Sequence, residues 1–278
     1  MALIVVLWLV VLLSIMAAGH SHNVHTDTML AARQLQSAKA RALAEAGINH
    51  VILEMLAADS DRKLRTNGSL FTVRIGEDDV VIAIRDATGF VDLNAAKPEL
   101  LDAALKTCGI SETARRDLVD TILDWRDRDD LSHLHGFEDD DYVASGVAWS
   151  SRDGAFEAVD ELKYLPGMNQ ARYDCLAPFV TVHSGKGGLN MEYAPPALIS
   201  ALTGEEVPTA DSVDDDGNAS GPRNGTFHIY ASASGSGATV AAIEAVVRIS
   251  RASKTPFSIV DWREPPRAEF PPRQGGQG

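Results

Sequence analysis

The chain opens on a run with no charged side chain, MALIVVLWLVVLLSIMAAG, over residues 1–19. As a helix rising about 1.5 Å per residue, that run nearly spans a hydrocarbon layer about 30 Å thick. Apolar residues then recur at helical spacing through Leu30, Ala31, Leu35, Ala38, Ala42, Ala46, Val51 and Leu53. No proline interrupts the stretch, and Gly47 is its mild breaker. The pattern predicts one continuous helix of about 55 residues, a transmembrane part over 1–19 and an amphipathic continuation over 20–60. A secretory signal peptide would carry a basic region ahead of the apolar run, and none is present. Ala17-Ala18-Gly19 would offer a cleavage site, but the helical pattern runs straight past it.

After Ser60 the period changes from helical to two. SLFTVRIGEDDVVIAIRD alternates around Gly76-Glu77-Asp78-Asp79, which predicts a hairpin with strands near 69–75 and 80–86. From Lys97 to Thr203 helical spacing dominates, with Pro98 in the first turn of one helix. Further helices are predicted over Glu112–Trp125, Glu157–Tyr164, Asn169–Leu176 and Pro195–Leu202. Residues 204–224 are acidic and glycine-rich and read as a mobile loop. FHIYASASGSGATVAAIEAVVRISR then reads as two strands around a Gly235-Ser236-Gly237 turn, and PFSIVDWRE as a third. Residues 265–278, rich in Pro, Gly and Gln, read as a disordered tail.

Strands on both sides of the helical stretch predict an α+β fold. One antiparallel sheet, from 61–90 and 225–264, would be interrupted by an inserted helical domain at 91–203. The alternative is separate domains in series, which would leave 69–86 as a marginal lone hairpin. Within the insert, Leu165-Pro166-Gly167-Met168 resembles the turn of a helix-hairpin-helix.

Composition narrows the function. The 278 residues carry a formal net charge of -14, which disfavours nucleic acid and suits a solvated or cation-collecting domain. The helix-hairpin-helix-like turn is therefore read as a compact helix pair. Two cysteines, Cys108 and Cys175, allow one disulfide in an oxidising compartment or two buried thiols.

The densest chemistry is DWRDRDD at 124–130, followed by GFEDDDY at 136–142. So many carboxylates repel one another unless a cation joins them. Calcium takes six to eight oxygens and tolerates irregular loops. Asp124 at a helix end, and Asp127 and Asp129 in the loop, could converge with Glu138 across Gly136. The spacing is not that of an EF-hand, and a solvated acidic loop is the alternative. His133 and His135 would suit a transition metal, but among so many oxygens they read as solvent-facing. His20, His22 and His25 read as a polar interfacial stretch. No nucleophile elbow, H-E-x-x-H or phosphate-binding glycine loop is present, so no catalytic residue is assigned.

Several pieces, in order, resemble the type II secretion system protein K family, the largest minor pseudopilins. They are MALIVVLWLVVLL, Gly89-Phe90-Val91-Asp92-Leu93-Asn94, and the DWRDRDD…GFEDDDY block. After these come Glu161-Leu162…Pro166-Gly167-Met168, Leu189-Asn190, Ala245-Val246-Val247-Arg248 and Asp261-Trp262-Arg263-Glu264. The resemblance implies a type IV pilin-like fold with a helical domain inserted in its sheet region. It implies calcium in the acidic block, with Asp124, Asp127, Asp129 and Glu138 at the family's positions, and Asp141 and Tyr142 beside them. It further implies a place at the pseudopilus tip with the I and J minor pseudopilins, H being a further candidate, in contact with the secretion apparatus and exported proteins. The location implied is the Gram-negative inner membrane, single-pass, with a periplasmic C-terminal domain. Family members carry a leader that prepilin peptidase removes after a Gly. A sequence starting at Met1 is then the mature form or starts downstream of the true start. Most pilins have Glu at the fifth mature position; Val5 here fits a K subunit with no neighbour above it. The rival reading is a membrane-anchored periplasmic calcium- or DNA-binding module outside any fibre. A membrane-anchored hydrolase is a third, and it lacks a visible nucleophile.

Overall fold

The computed structural model describes residues 2–57, 64–205, 224–234 and 240–264, excepting the side chains at 15, 17–26 and 240. Helix α1 runs unbroken over Ala2–Leu56. Ala40, Leu43, Ala44, Ile48, Val51 and Ile52, three or four residues apart along most of this face, are buried against a sheet. Among the described residues no helix is long and apolar enough to cross a membrane.

Seven strands are described: β1 Asn67–Ile75, β2 Asp78–Asp86, β3 Val91–Asp92, β4 Val180–Thr181, β5 Gly225–Ser234, β6 Val240–Ile249 and β7 Phe257–Arg263. Five of them form one antiparallel sheet in the order β1-β2-β5-β6-β7. β2 and β5 are hydrogen-bonded neighbours although the whole insert lies between them in sequence. The hairpin is therefore not a lone element, and the arrangement of separate domains in series is excluded. Alternate residues such as Val80, Ile82, Ile84, Phe227 and Ile229 pack against α1. Gly47 lies at the closest approach: a Cβ there would sit 2.8 Å from Val80 Cγ1. The breaker in the helix is what lets helix and sheet meet.

The insert packs its own core from α2 Pro98–Thr107, α3 Glu112–Arg126, α4 Asp139–Ala144, α5 Gln170–Leu176 and α6 Pro196–Thr203. Leu101, Leu105, Leu118, Ile122, Leu162 and Leu198 are at its centre. Two features depart from the sequence reading. The helix expected at Glu157–Tyr164 is a 3-10 turn over Val159–Tyr164. Leu165, ahead of Pro166, is extended at φ -73 and ψ 133, which ends the turn there. The insert is also not purely helical, because β3 and β4 pair in parallel through Val91–Val180 and Asp92–Thr181. Strands of two residues are too short to register as a periodicity.

Cys108 and Cys175 form a disulfide, which joins the end of α2 to α5. This decides between the two readings of the cysteines. The expected acidic loop falls largely on 206–223, the Gly235-Ser236-Gly237 turn on 235–239 and the tail on 265–278, all outside the described residues.

Candidate metal centre

Asp124 lies in the last turn of α3 and is fully buried. Its carboxylate accepts from the His133 backbone N–H, at 3.2 Å to Oδ1 and 3.3 Å to Oδ2, and pairs through Oδ1 with His133 Nδ1. Asp127 caps the same helix, its N–H donating to the Leu123 carbonyl at 3.1 Å. The chain then loops back so that Gly136 passes directly over Asp124; a Cβ on Gly136 would lie 1.6 Å from Asp124 Oδ2. Glu138, buried, starts α4, and its N–H donates to Asp141 Oδ2 at 3.1 Å. Ligand atoms on Asp124, Asp127 and His133 all lie within 4.8 Å of one another.

This centre is electrostatically frustrated. Burial, followed by the fields of Asp124 and Asp127, pushes the Glu138 carboxyl up to about 7. Burial, then Asp129 and Asp124, raises Asp127 as well. The hydrogen bond with Asp124 raises the His133 imidazole. Asp127 Oδ1, Glu138 Oε1 and the Tyr142 hydroxyl are buried without a hydrogen-bond partner. Orphaned buried oxygens among repelling carboxylates are what a hard divalent cation would satisfy. The donor set, oxygens with one imidazole at the edge, fits such an ion.

The sequence-predicted residues separate here. Asp124 and Asp127 come together with His133, and Glu138 feels both carboxylates. Asp129 is exposed and accepts from its own turn, from Leu131 N–H at 3.1 Å. Asp141 acts as the α4 cap. Tyr142 is fully buried, with Trp125 and Phe137 rings 6.0 and 6.1 Å away. His133 is exposed, as expected, and also turns its ring Nδ1 onto Asp124. His135 is held by its N–H on Asp120 at 3.1 Å, with its ring 3.8 Å from Asp117.

A second polar constellation escapes the sequence reading. On the sheet face away from α1, Glu244 of β6 is buried and bonded to His228 Nδ1 at 2.8 Å and to Arg263 Nε. His228 Nε2 lies 3.1 Å from Thr181 Oγ1 in β4. The network ties three sheet strands to the insert and borders a cavity of about 180 Å³ that also touches His183 and Asp261. Its signal in the sequence is faint: single polar residues at alternate strand positions, which read equally well as a solvated face.

Residues 81–185 match the family model described as type II secretion system (T2SS), protein K. A type II secretion system protein K from Klebsiella pneumoniae is 28% identical over 201 residues, covering 64% of this chain. The match spans 61% of that relative's length. A chain in the crystal structure of the GspK-GspI-GspJ complex of the enterotoxigenic Escherichia coli type 2 secretion system has the same fold. Its TM-score is 0.53 at 14% identity, over 88% of this chain and 99% of that one. The family-model match begins inside β2 and ends just beyond β4, so it includes α2 to α5 and the acidic loop. Over residues 81–185 the chain is therefore similar to the protein K domain of type II secretion systems, and over most of its length it shares the fold of the complex's matched chain.

Proposed function

We propose that the chain is a minor pseudopilin at the tip of the type II secretion pseudopilus, where it joins the I and J subunits, starts fibre assembly and supports export of folded proteins. The observation that carries this reading is the insertion of a protein K domain between β2 and β5 of a sheet packed on one long helix. The role is structural rather than catalytic. The apolar run at 1–19 would hold the subunit in the inner membrane before assembly and pack among neighbouring helices afterwards, with the sheet and insert in the periplasm. The acidic centre would hold calcium through Asp124, Asp127 and Glu138, with the other oxygens from the loop, backbone and water. Calcium would supply the positive charge that fixes the end of α3 against the loop and α4.

The test is co-purification of the full chain, in detergent, with the I and J pseudopilins of its own organism. A stable complex of all three is expected. Elution of this chain alone, where I and J hold each other, would overturn the reading in favour of an anchored module outside the fibre.

A further inference from the structure

The described sheet ends on two edge strands, β1 and β7. β1, one edge, carries a register irregularity between Asn67 and Leu70 and a charged Arg74. Both are devices that discourage pairing by another strand. β7, the other edge, pairs with β6 on one side, with a register shift at Val246/Val247, and among the described residues has no sheet neighbour on the other. Its first half, Phe257-Ser258-Ile259-Val260, has neither charge nor proline. Phe257, Ile259 and Val260 are 41%, 45% and 39% exposed.

Register explains why these side chains stand uncovered. Phe257 and Ile259 lie opposite Ile249 and Val247, which belong to the core between α1 and the sheet. They therefore continue that apolar face beyond the part that α1 covers. The adjoining β6–β7 region is basic: Arg248, Arg251 and Lys254 occur between 248 and 256 without one acidic residue, in a chain of net charge -14. Arg248 and Lys254 are exposed. Arg251 donates to the Met55 and Ala57 carbonyls, which pins the turn to the C-terminal end of α1, the end remote from residues 1–19.

We propose that the β7 edge is a docking site for an extended acidic segment of a partner protein, which adds to the sheet beside β7. Backbone N–H and C=O groups on the open edge would supply the pairing. Alternate apolar side chains of the segment would cover Phe257 and Ile259, and its carboxylates would meet Arg248 and Lys254. A second copy of this chain fits poorly, because its own β7 edge brings the same basic turn.

The experiment uses the full chain in detergent and a labelled octapeptide alternating glutamate with valine; a peptide alternating lysine with valine is the control. Saturable, salt-sensitive binding of the acidic peptide is expected, with slowed amide exchange at residues 257–260. Ile259→Lys, and separately the double variant Arg248→Glu with Lys254→Glu, should each weaken binding at least tenfold; the double variant alters only exposed side chains. Equal binding of both peptides, no binding of either, or slowed exchange confined to other strands would overturn the proposal. So would protection of β7 by self-association without peptide.

Discussion

Gly136 and Asp124 are in direct apposition: the glycine backbone occupies the space over the buried carboxylate, and a Cβ would come within 1.6 Å of Oδ2. Glycine is required there for room. Gly136→Ala should displace the loop or the carboxylate and lower stability by about 1–3 kcal/mol, as overpacking does in a tight core. Thermal unfolding of the variant beside the parent checks this. An unchanged midpoint would mean that the loop does not press on Asp124.

Metal removal should show in the same measurement. If calcium sits among Asp124, Asp127 and Glu138, chelation lowers the thermal midpoint; an ion at 100 times its Kd contributes about 2.7 kcal/mol. Glu138→Gln should then act in opposite directions in the two states. In chelated protein it removes a buried carboxyl that its neighbours repel, and raises stability. In calcium it removes a ligand, and lowers stability. A midpoint indifferent to chelator would reject the site.

The acidic centre was only partly legible in sequence because its geometry depends on where a loop returns. The spacing of Asp124, Asp127 and Glu138 marks them as candidates, and Gly136 lies where the chain must pass close. Nothing in the spacing says that His133 folds onto Asp124 while Asp129 turns outward, because a loop has no period. The strands and long helices, by contrast, carry periods of two and 3.6 over enough residues to be read. The hairpin near 69–86 and the helices at Pro98, Glu112, Asn169 and Pro195 all lie within a few residues of expectation. β3 and β4 were missed because their pairing is set by tertiary contacts.

Gly47 offers a case in which two local rules oppose each other. Alanine in a helix interior is favoured over glycine by about 1 kcal/mol. Here the added Cβ would lie 2.8 Å from Cγ1 of Val80, a stiff, fully buried, β-branched side chain. Gly47→Ala should therefore destabilise the α1–sheet packing despite the gain in propensity. Faster proteolytic cleavage near residues 40–56, with a lower thermal midpoint, is the expected result. A more stable variant would show that helix and sheet separate without strain.

The Cys108–Cys175 bridge closes a loop with a sequence separation of 67, all within the insert. Loops of this size lose on the order of 2–5 kcal/mol of stability when opened. Replacing both cysteines with serine should lower the thermal midpoint and remove its sensitivity to dithiothreitol. The sheet and α1, which contain neither cysteine, should keep their own amide protection. A parent protein that unfolds identically with and without reductant would contradict the bridge.

Glu244 should control acid stability at the junction of sheet and insert. Burial alone would push its carboxyl up, but the hydrogen bond and charge of His228 and the charge of Arg263 outweigh burial and hold it at about 2, against an ordinary 4.5. The folded value is the depressed one, so the stabilisation is fully present above the unfolded value. It is lost progressively as pH falls from about 4.5 toward 2. Glu244→Gln should lower stability at pH 7 by about 3–5 kcal/mol, the usual result of removing one member of a buried pair. It should also flatten the decline between those two pH values. Because His228 meets Thr181 on its other side, the loss should loosen the insert as well as the strand: amides at Val180 and Thr181 should exchange faster in the variant. Parallel acid profiles for the two proteins would mean that Glu244 is not held ionised, and that the insert rests on the sheet through apolar contact alone.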